Sequence, residues 1–134
     1  MATKKTIGAG LALDGEKEFK SAISNINKDL SVLGSEMQKV SAKYSDNADS
    51  MEALTAKQNV YSKQVEEHKK KIEVLKEALA ASAKEFGEND AKTKNWQISL
   101  NKAEADLAKT ENSLKQTTDK MDNYGKEAEE TGKD

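Results

Sequence analysis

The stretch FKSAISNINKDLSVLGSEMQKVSAKY, residues 19–44, decides the fold of this chain. Its apolar residues recur at alternating intervals of four and three, namely Phe19, Ile23, Ile26, Leu30, Leu33, Met37, Val40 and Tyr44. This is the a/d spacing of a heptad repeat, which places one narrow apolar stripe along a helix. Because such a stripe must be covered, the stretch predicts a long helix that packs against a partner helix.

The same register continues beyond residue 44 and governs most of the chain. In the next two segments its large apolar members include Leu54, Tyr61, Val65, Ile72, Leu75, Leu79, Trp96, Leu100, Leu107 and Leu114. Between residues 19 and 124 only four large apolar residues lie off the register: Val32, Val60, Val74 and Ile98. We therefore predict an all-α fold of three long amphipathic, heptad-patterned helices, arranged as helical hairpins or a coiled coil. Self-association through the stripe is predicted as well.

Two short breaks separate the predicted helices, which span about 16–44, 50–86 and 91–124. The first break, residues 45–50, consists of turn-forming residues, and Asp49 with Glu52 fits a capping box. In the second, Gly87 suits the position just after a helix. The heptad phase is preserved across both breaks and the chain has no Pro. Two states are thus predicted, three helices folded back on themselves or a near-continuous rod.

The two ends of the chain are predicted to differ from this helical region, residues 15–124. Residues 1–14 are predicted to form an N-terminal arm. Within it, apolar residues alternate over residues 7–13 with a period of two, which is typical of a short strand. Such a strand pairs with another chain, packs on the helices or stays disordered. Residues 125–134 have no apolar stripe, so they are predicted to be a flexible tail.

Composition excludes several classes of function. The 22 basic residues balance 24 acidic ones, all 22 are Lys, and the charges are interleaved along the helices, so nucleic-acid recognition is disfavoured. Helical i,i+4 pairs such as Glu66–Lys70 and Glu67–Lys71 are predicted. No Cys is present, and no apolar run approaches the ~20 residues that span a bilayer. We expect no membrane contact in this segment, and the N-terminus does not fit a signal peptide.

The sequence offers no constellation typical of an enzyme. His68 is the only histidine, and with no second His or any Cys it is predicted to be a polar seam position without a metal or catalytic role. Gln58 and Ser82 are further polar residues on the stripe, which either fix the register or are mere imperfections. Trp96 is predicted to be a core residue, and an anchor for a partner protein is the minority interpretation. We expect no catalytic, cofactor-binding or metal-binding residues and no small-molecule substrate.

Two stretches resemble a known family. The opening LDGEKEFK, residues 13–20, with ISNIN (23–27) and LSVLGSEM (30–37), is similar to the N-terminal region of tail tape measure proteins. These proteins come from long-tailed phages and prophages of Gram-positive bacteria. FGEND at 86–90, running to Trp96-Gln97 and LNKAE at 100–104, resembles the next segment of that family.

The resemblance implies a structural protein that fills the tail tube during assembly, sets tail length and leaves through the tube at infection. It would be assembled in the host cytoplasm and reside in the virion tail. Its implied partners are further copies of itself, the tail tube and the tail assembly chaperones. Family members are usually much longer, so the chain is expected to be an N-terminal fragment. A generic coiled-coil adaptor or secretion-system component is the alternative, and gene context would separate the two.

Overall fold

A computed structural model describes the backbone of residues 8–133 and the side chains of residues 15–125. The chain forms three long helices, α1 (Gly8–Lys43), α2 (Met51–Phe86) and α3 (Ala91–Lys133). The predicted all-α fold of three helices is therefore confirmed. The helices are folded back on one another, since α1 packs on α2 and α2 packs on α3.

Both ends of the helical region extend further than the sequence predicts. The strand expected over residues 7–13 is not confirmed, because residues 8–13 belong to α1, and Ile7 lies outside the described residues. A lone strand has no neighbour for its backbone hydrogen bonds, whereas a helix supplies them internally. At the other end α3 continues through Lys133, although side chains beyond residue 125 are outside the description. Local hydrogen bonds carry a helix past the point where its apolar stripe stops.

The central helix is α2, and both neighbours run antiparallel to it. Gln58 near the start of α2 reaches Thr118 late in α3, whereas Ser82 near its end reaches Thr93 early in α3. In the described residues no Cα atom of α1 lies within 8 Å of a Cα atom of α3. Both outer helices therefore depend on α2 for close packing.

Turn 1, residues 44–50, joins α1 to α2. Ser50 is the N-cap of α2, and its side-chain oxygen accepts a hydrogen bond from the Ala53 amide at 3.2 Å. The cap is thus Ser50 and not Asp49, the residue that the capping box suggested. A hydroxyl here satisfies one of the amides that the first helical turn leaves without a partner.

Turn 2, residues 87–90, joins α2 to α3. Gly87 has a φ of 93°, a backbone conformation that residues with a Cβ rarely adopt, and its amide donates to the Ala83 carbonyl at 2.9 Å. The Thr93 hydroxyl donates to the Gly87 carbonyl at 2.8 Å. Since that hydroxyl has a single proton, Ser82 is the donor in the 2.9 Å bond between Ser82 Oγ and Thr93 Oγ1. This chain of bonds links α2, turn 2 and α3.

Candidate functional site

The heptad stripe is the surface on which the sequence concentrates its apolar residues, and the structure turns much of it inward. Seven of the predicted self-association residues are buried within this one chain: Ile26, Leu33, Leu54, Val65, Ile72, Leu75 and Leu100. The other ten are half-buried: Phe19, Ile23, Leu30, Met37, Val40, Tyr61, Leu79, Trp96, Leu107 and Leu114. The stripes of the three helices therefore find cover inside the chain, and self-association through them stays a prediction.

The core of the bundle lies between α2 and α3. Leu75 is 1% exposed and packs in a cluster with Ile72, Leu100 and Ala103. Ile23 of α1 and Trp96 of α3 pack against this cluster from outside. Trp96 also meets Phe19 of α1 edge to face, with ring centroids 6.3 Å apart. This aromatic pair joins α1 to α3 near the turn 2 end of the bundle.

Two polar residues on the stripe of α2, Gln58 and Ser82, form hydrogen bonds with α3. Gln58 Nε2 donates to Thr118 Oγ1 at 3.3 Å, and Ser82 is bonded to Thr93 as described above. Ser82 and Thr93 are 5% and 4% exposed, so their bond is shielded from water. Buried polar partners of this kind favour one alignment of the two helices, because a slip would leave them unpaired.

A second apolar stripe on α2 is what the sequence analysis missed. It contains Ala53, Val60, Val74 and Ala78, of which the first, second and fourth are buried and Val74 is half-buried. We call it the α1 site, because the heptad stripe of α2 faces α3 and this second stripe lies on the side where Glu67 meets residues of α1. It lies roughly 100° around α2 from the heptad stripe, at 3.6 residues per turn. Val60 and Val74 are the only sequence features that indicate this second stripe, and from the heptad pattern alone they are exceptions to the register.

The α1 site includes a carboxylate at its centre. Glu67 lies on the same side of α2 as Val60 and Val74, and it lines a groove of 330 Å³ together with Asp29, Val32 and Leu33 of α1 and with Lys63 and Glu66 of α2. Glu67 Oε2 accepts from Lys70 at 2.9 Å, which raises the pKa of Lys70, while its Oε1 is buried without a hydrogen-bond partner. The observed pairing is thus i,i+3, in place of the i,i+4 pairs predicted for Glu66 and Glu67.

His68 is half-buried on α2, and its Nδ1 is buried without a hydrogen-bond partner. Desolvation lowers the pKa of His68, Asp106 of α3 raises it, and Lys71 lowers it further, with a net downward shift. The neutral imidazole is therefore the form that suits the fold. This fits the predicted role as a polar seam position.

The described residues contain no group of three or more His, Cys, Asp and Glu side chains arranged to hold a metal ion. Within the described part of the chain, no helix has an apolar segment long enough to cross a bilayer. The large exposed apolar residues, Val32, Phe86, Ile98 and Tyr124, are scattered over the three helices. Lys92 Nζ lies 4.4 Å from the centre of the Phe86 ring and partly covers it. The arrangement thus offers surfaces for packing helices.

Comparison with known proteins gives no relative: no protein-family description, curated protein or solved structure matches this chain.

Proposed function

We propose that this chain is the N-terminal part of a tail tape measure protein of a long-tailed phage or prophage. The residues that support the proposal are the LDGEKEFK opening at 13–20 and the stretch from Phe86 to Gln97. In that role the chain acts in the tail of the virion, after assembly in the host cytoplasm. Its partners are further copies of itself, the tail tube and the tail assembly chaperones.

The observation that carries the proposal is the unbroken heptad phase across turns 1 and 2. Tyr44 and Met51 are one heptad apart, so straightening turn 1 joins the stripes of α1 and α2 without a shift. A chain that only forms hairpins does not need to preserve the heptad phase across its turns. A rod from residue 19 to residue 124 would span about 160 Å at ~1.5 Å per residue, whereas one helix of 36 residues spans about 54 Å. In the rod, length follows residue number.

The test is a deletion in phase with the heptads, made in the phage genome that encodes the chain. Removing residues 52–79, four heptads, should shorten the tail by about 42 Å at ~1.5 Å per residue, as measured on electron micrographs. The matched control replaces the same residues with 28 residues of the same heptad pattern and should restore the length. Tails of unchanged length, or virions that lack the chain, would contradict the proposal. They would favour an adaptor or a secretion-system component.

A further inference from the structure

In the described residues no side-chain hydrogen bond or ion pair joins α1 to the other two helices, and the charge of Asp29 acts on Lys70 of α2 only through space. The hydrogen bonds between helix side chains join α2 to α3, as described above for Gln58 and Ser82. Even the ion pair from turn 1, Asp49 to Lys120 at 3.2 Å, reaches α3. The side-chain bonds shown for α1, such as Lys20 to Glu16 at 3.2 Å, stay within α1. Removing α1 therefore breaks no buried polar bond that the structure shows.

One side chain of the α1 site destabilises the packing of α1. Glu67 is a carboxylate that lines the groove beside Asp29, Val32 and Leu33 of α1, and its Oε1 is buried without a hydrogen-bond partner. A buried polar atom that lacks a hydrogen bond is destabilising, and departure of α1 would return it to water. The apolar stripe of α1 makes its packing on α2 favourable on balance, and Glu67 reduces the free energy gained by that packing.

Turn 1 is built to serve as a hinge. Residues 45–49 are exposed, and the backbone bonds in the turn are local, such as Asn47 N to Tyr44 O at 3.1 Å and Ser50 N to Asn47 O at 3.0 Å. The turn contains no glycine. Opening the turn changes only these local backbone bonds, and Ser50 can keep capping α2.

We propose that α1 is an exchangeable helix: it swings out about turn 1 and packs on the α1 site of a second copy, whose own α1 packs back in return. The occupant is a second copy because the contacts of the closed chain are then remade unchanged, so no other surface has to fit. Reciprocal exchange of this kind closes into a dimer and leaves each α2–α3 hairpin intact. The inference does not depend on the proposed role in a phage tail.

Complementation of two defective copies tests this exchange. Leu33→Lys damages the stripe of α1 but leaves the α1 site intact, whereas Val60→Lys damages the α1 site but leaves α1 intact. Each variant alone should sediment as a monomer of 14.7 kDa. Their equimolar mixture should contain a species of twice that mass, because the intact α1 of one copy fits the intact site of the other.

Fluorescence gives an independent measure of the same event. Trp96 is the only tryptophan and contacts Phe19 of α1. With Trp96→Phe added to the Val60→Lys copy, tryptophan emission comes only from the Leu33→Lys copy. Its emission should shift toward that of the wild type on mixing, since the incoming α1 brings Phe19 back to the ring.

The matched control uses exposed positions on the same helices. A mixture of Ser31→Lys and Asn59→Lys, both at exposed residues outside the groove, should sediment like the wild type at the same concentration, with no added dimer. Circular dichroism shows whether a buried lysine unfolds the whole chain. If it does, a mixture of Leu33→Ala and Val60→Ala provides the same test with a smaller dimer fraction. A mixture that sediments as monomers with unchanged Trp96 emission would overturn the proposal.

Discussion

Turn 2 reverses the chain in four residues and relies on a glycine with a positive φ, whereas turn 1 uses seven residues and no glycine. Around turn 2, buried hydroxyls of Ser82 and Thr93 link both helices to the Gly87 carbonyl. Around turn 1, the links across the turn are exposed ones, Lys57 to the Ala48 carbonyl and Lys120 to Asp49.

This difference shows that one sequence pattern can produce two connections of unequal strength. Both turns preserve the heptad phase, so the pattern alone treats them as equivalent. What separates them is how many polar groups each shields from water, because a shielded bond has no competing solvent partner. We therefore expect the α2–α3 hairpin to persist in conditions where α1 opens.

The largest expected effect comes from a pair of leucines on the two outer helices. Leu33→Ala, at a residue 7% exposed in α1, should destabilise the fold by about 2–5 kcal/mol and speed amide hydrogen exchange equally in all three helices. Leu114→Ala, at a half-buried residue of α3, should cost about 2 kcal/mol. It should speed exchange in α2 and α3 only, since α1 opens before the hairpin. Faster exchange in α1 of the Leu114 variant would contradict this order.

The next effect concerns the hydroxyls at turn 2. Thr93→Ala removes both of its hydrogen bonds and leaves Ser82 Oγ and the Gly87 carbonyl without those partners, so the loss of unfolding free energy should be about 2 kcal/mol. Urea titration followed by circular dichroism measures it. Thr93→Ser should recover most of the loss. Thr110→Ala is the matched control, because Thr110 bonds only the Asp106 carbonyl of its own helix, and its effect should stay below about 0.5 kcal/mol.

Two glycines should respond to alanine with opposite signs. Gly87→Ala should destabilise by about 1–2 kcal/mol because a φ of 93° strains a residue with a Cβ. Gly34→Ala should stabilise by about 1 kcal/mol, since Gly34 lies inside α1 and an added Cβ would meet nothing within 4 Å. Thermal midpoints of both variants provide the check. A destabilised Gly34 variant would mean that α1 needs the glycine for a bend.

The smallest effect is a pH dependence from His68. Its pKa in the fold is lowered below the ordinary 6.5, first by desolvation, against the opposing charge of Asp106 and with the help of Lys71. A lowered pKa contributes stability above the unfolded-state value and loses it as pH falls through the folded-state value. The thermal midpoint should therefore drop slightly more between about pH 7 and pH 5 in the wild type than in His68→Leu. Equal drops would contradict a role for this side chain.

The sequence predicted the three helices because one clear period runs from Phe19 to Tyr124. It did not reveal the α1 site, because that stripe consists of small or β-branched residues on both sides of Glu67 and has no leucine. Periodicity identifies the strongest apolar face of a helix, yet a central helix needs two faces, and the second can be weak when its partner supplies most of the apolar surface. The sequence did not predict the hydrogen bonds of Ser82 and Thr93 at turn 2 either. A Ser or Thr on a heptad stripe interrupts the apolar pattern, and its hydrogen-bond partner is known only once the facing helix is known.

The odd number of antiparallel helices has a mechanical consequence. Gly15, near the start of α1, and Gly125, near the end of α3, lie toward opposite ends of the bundle, because Phe19 meets Trp96 near turn 2 and Lys120 meets Asp49 of turn 1. Tension applied through Gly15 and Gly125 draws α1 lengthwise along α2, so the stripe contacts of α1 are loaded together in shear. Thermal opening at turn 1 follows the opposite geometry, because there α1 swings sideways. A helix that exchanges easily at rest is thus placed where it resists a pull along the axis.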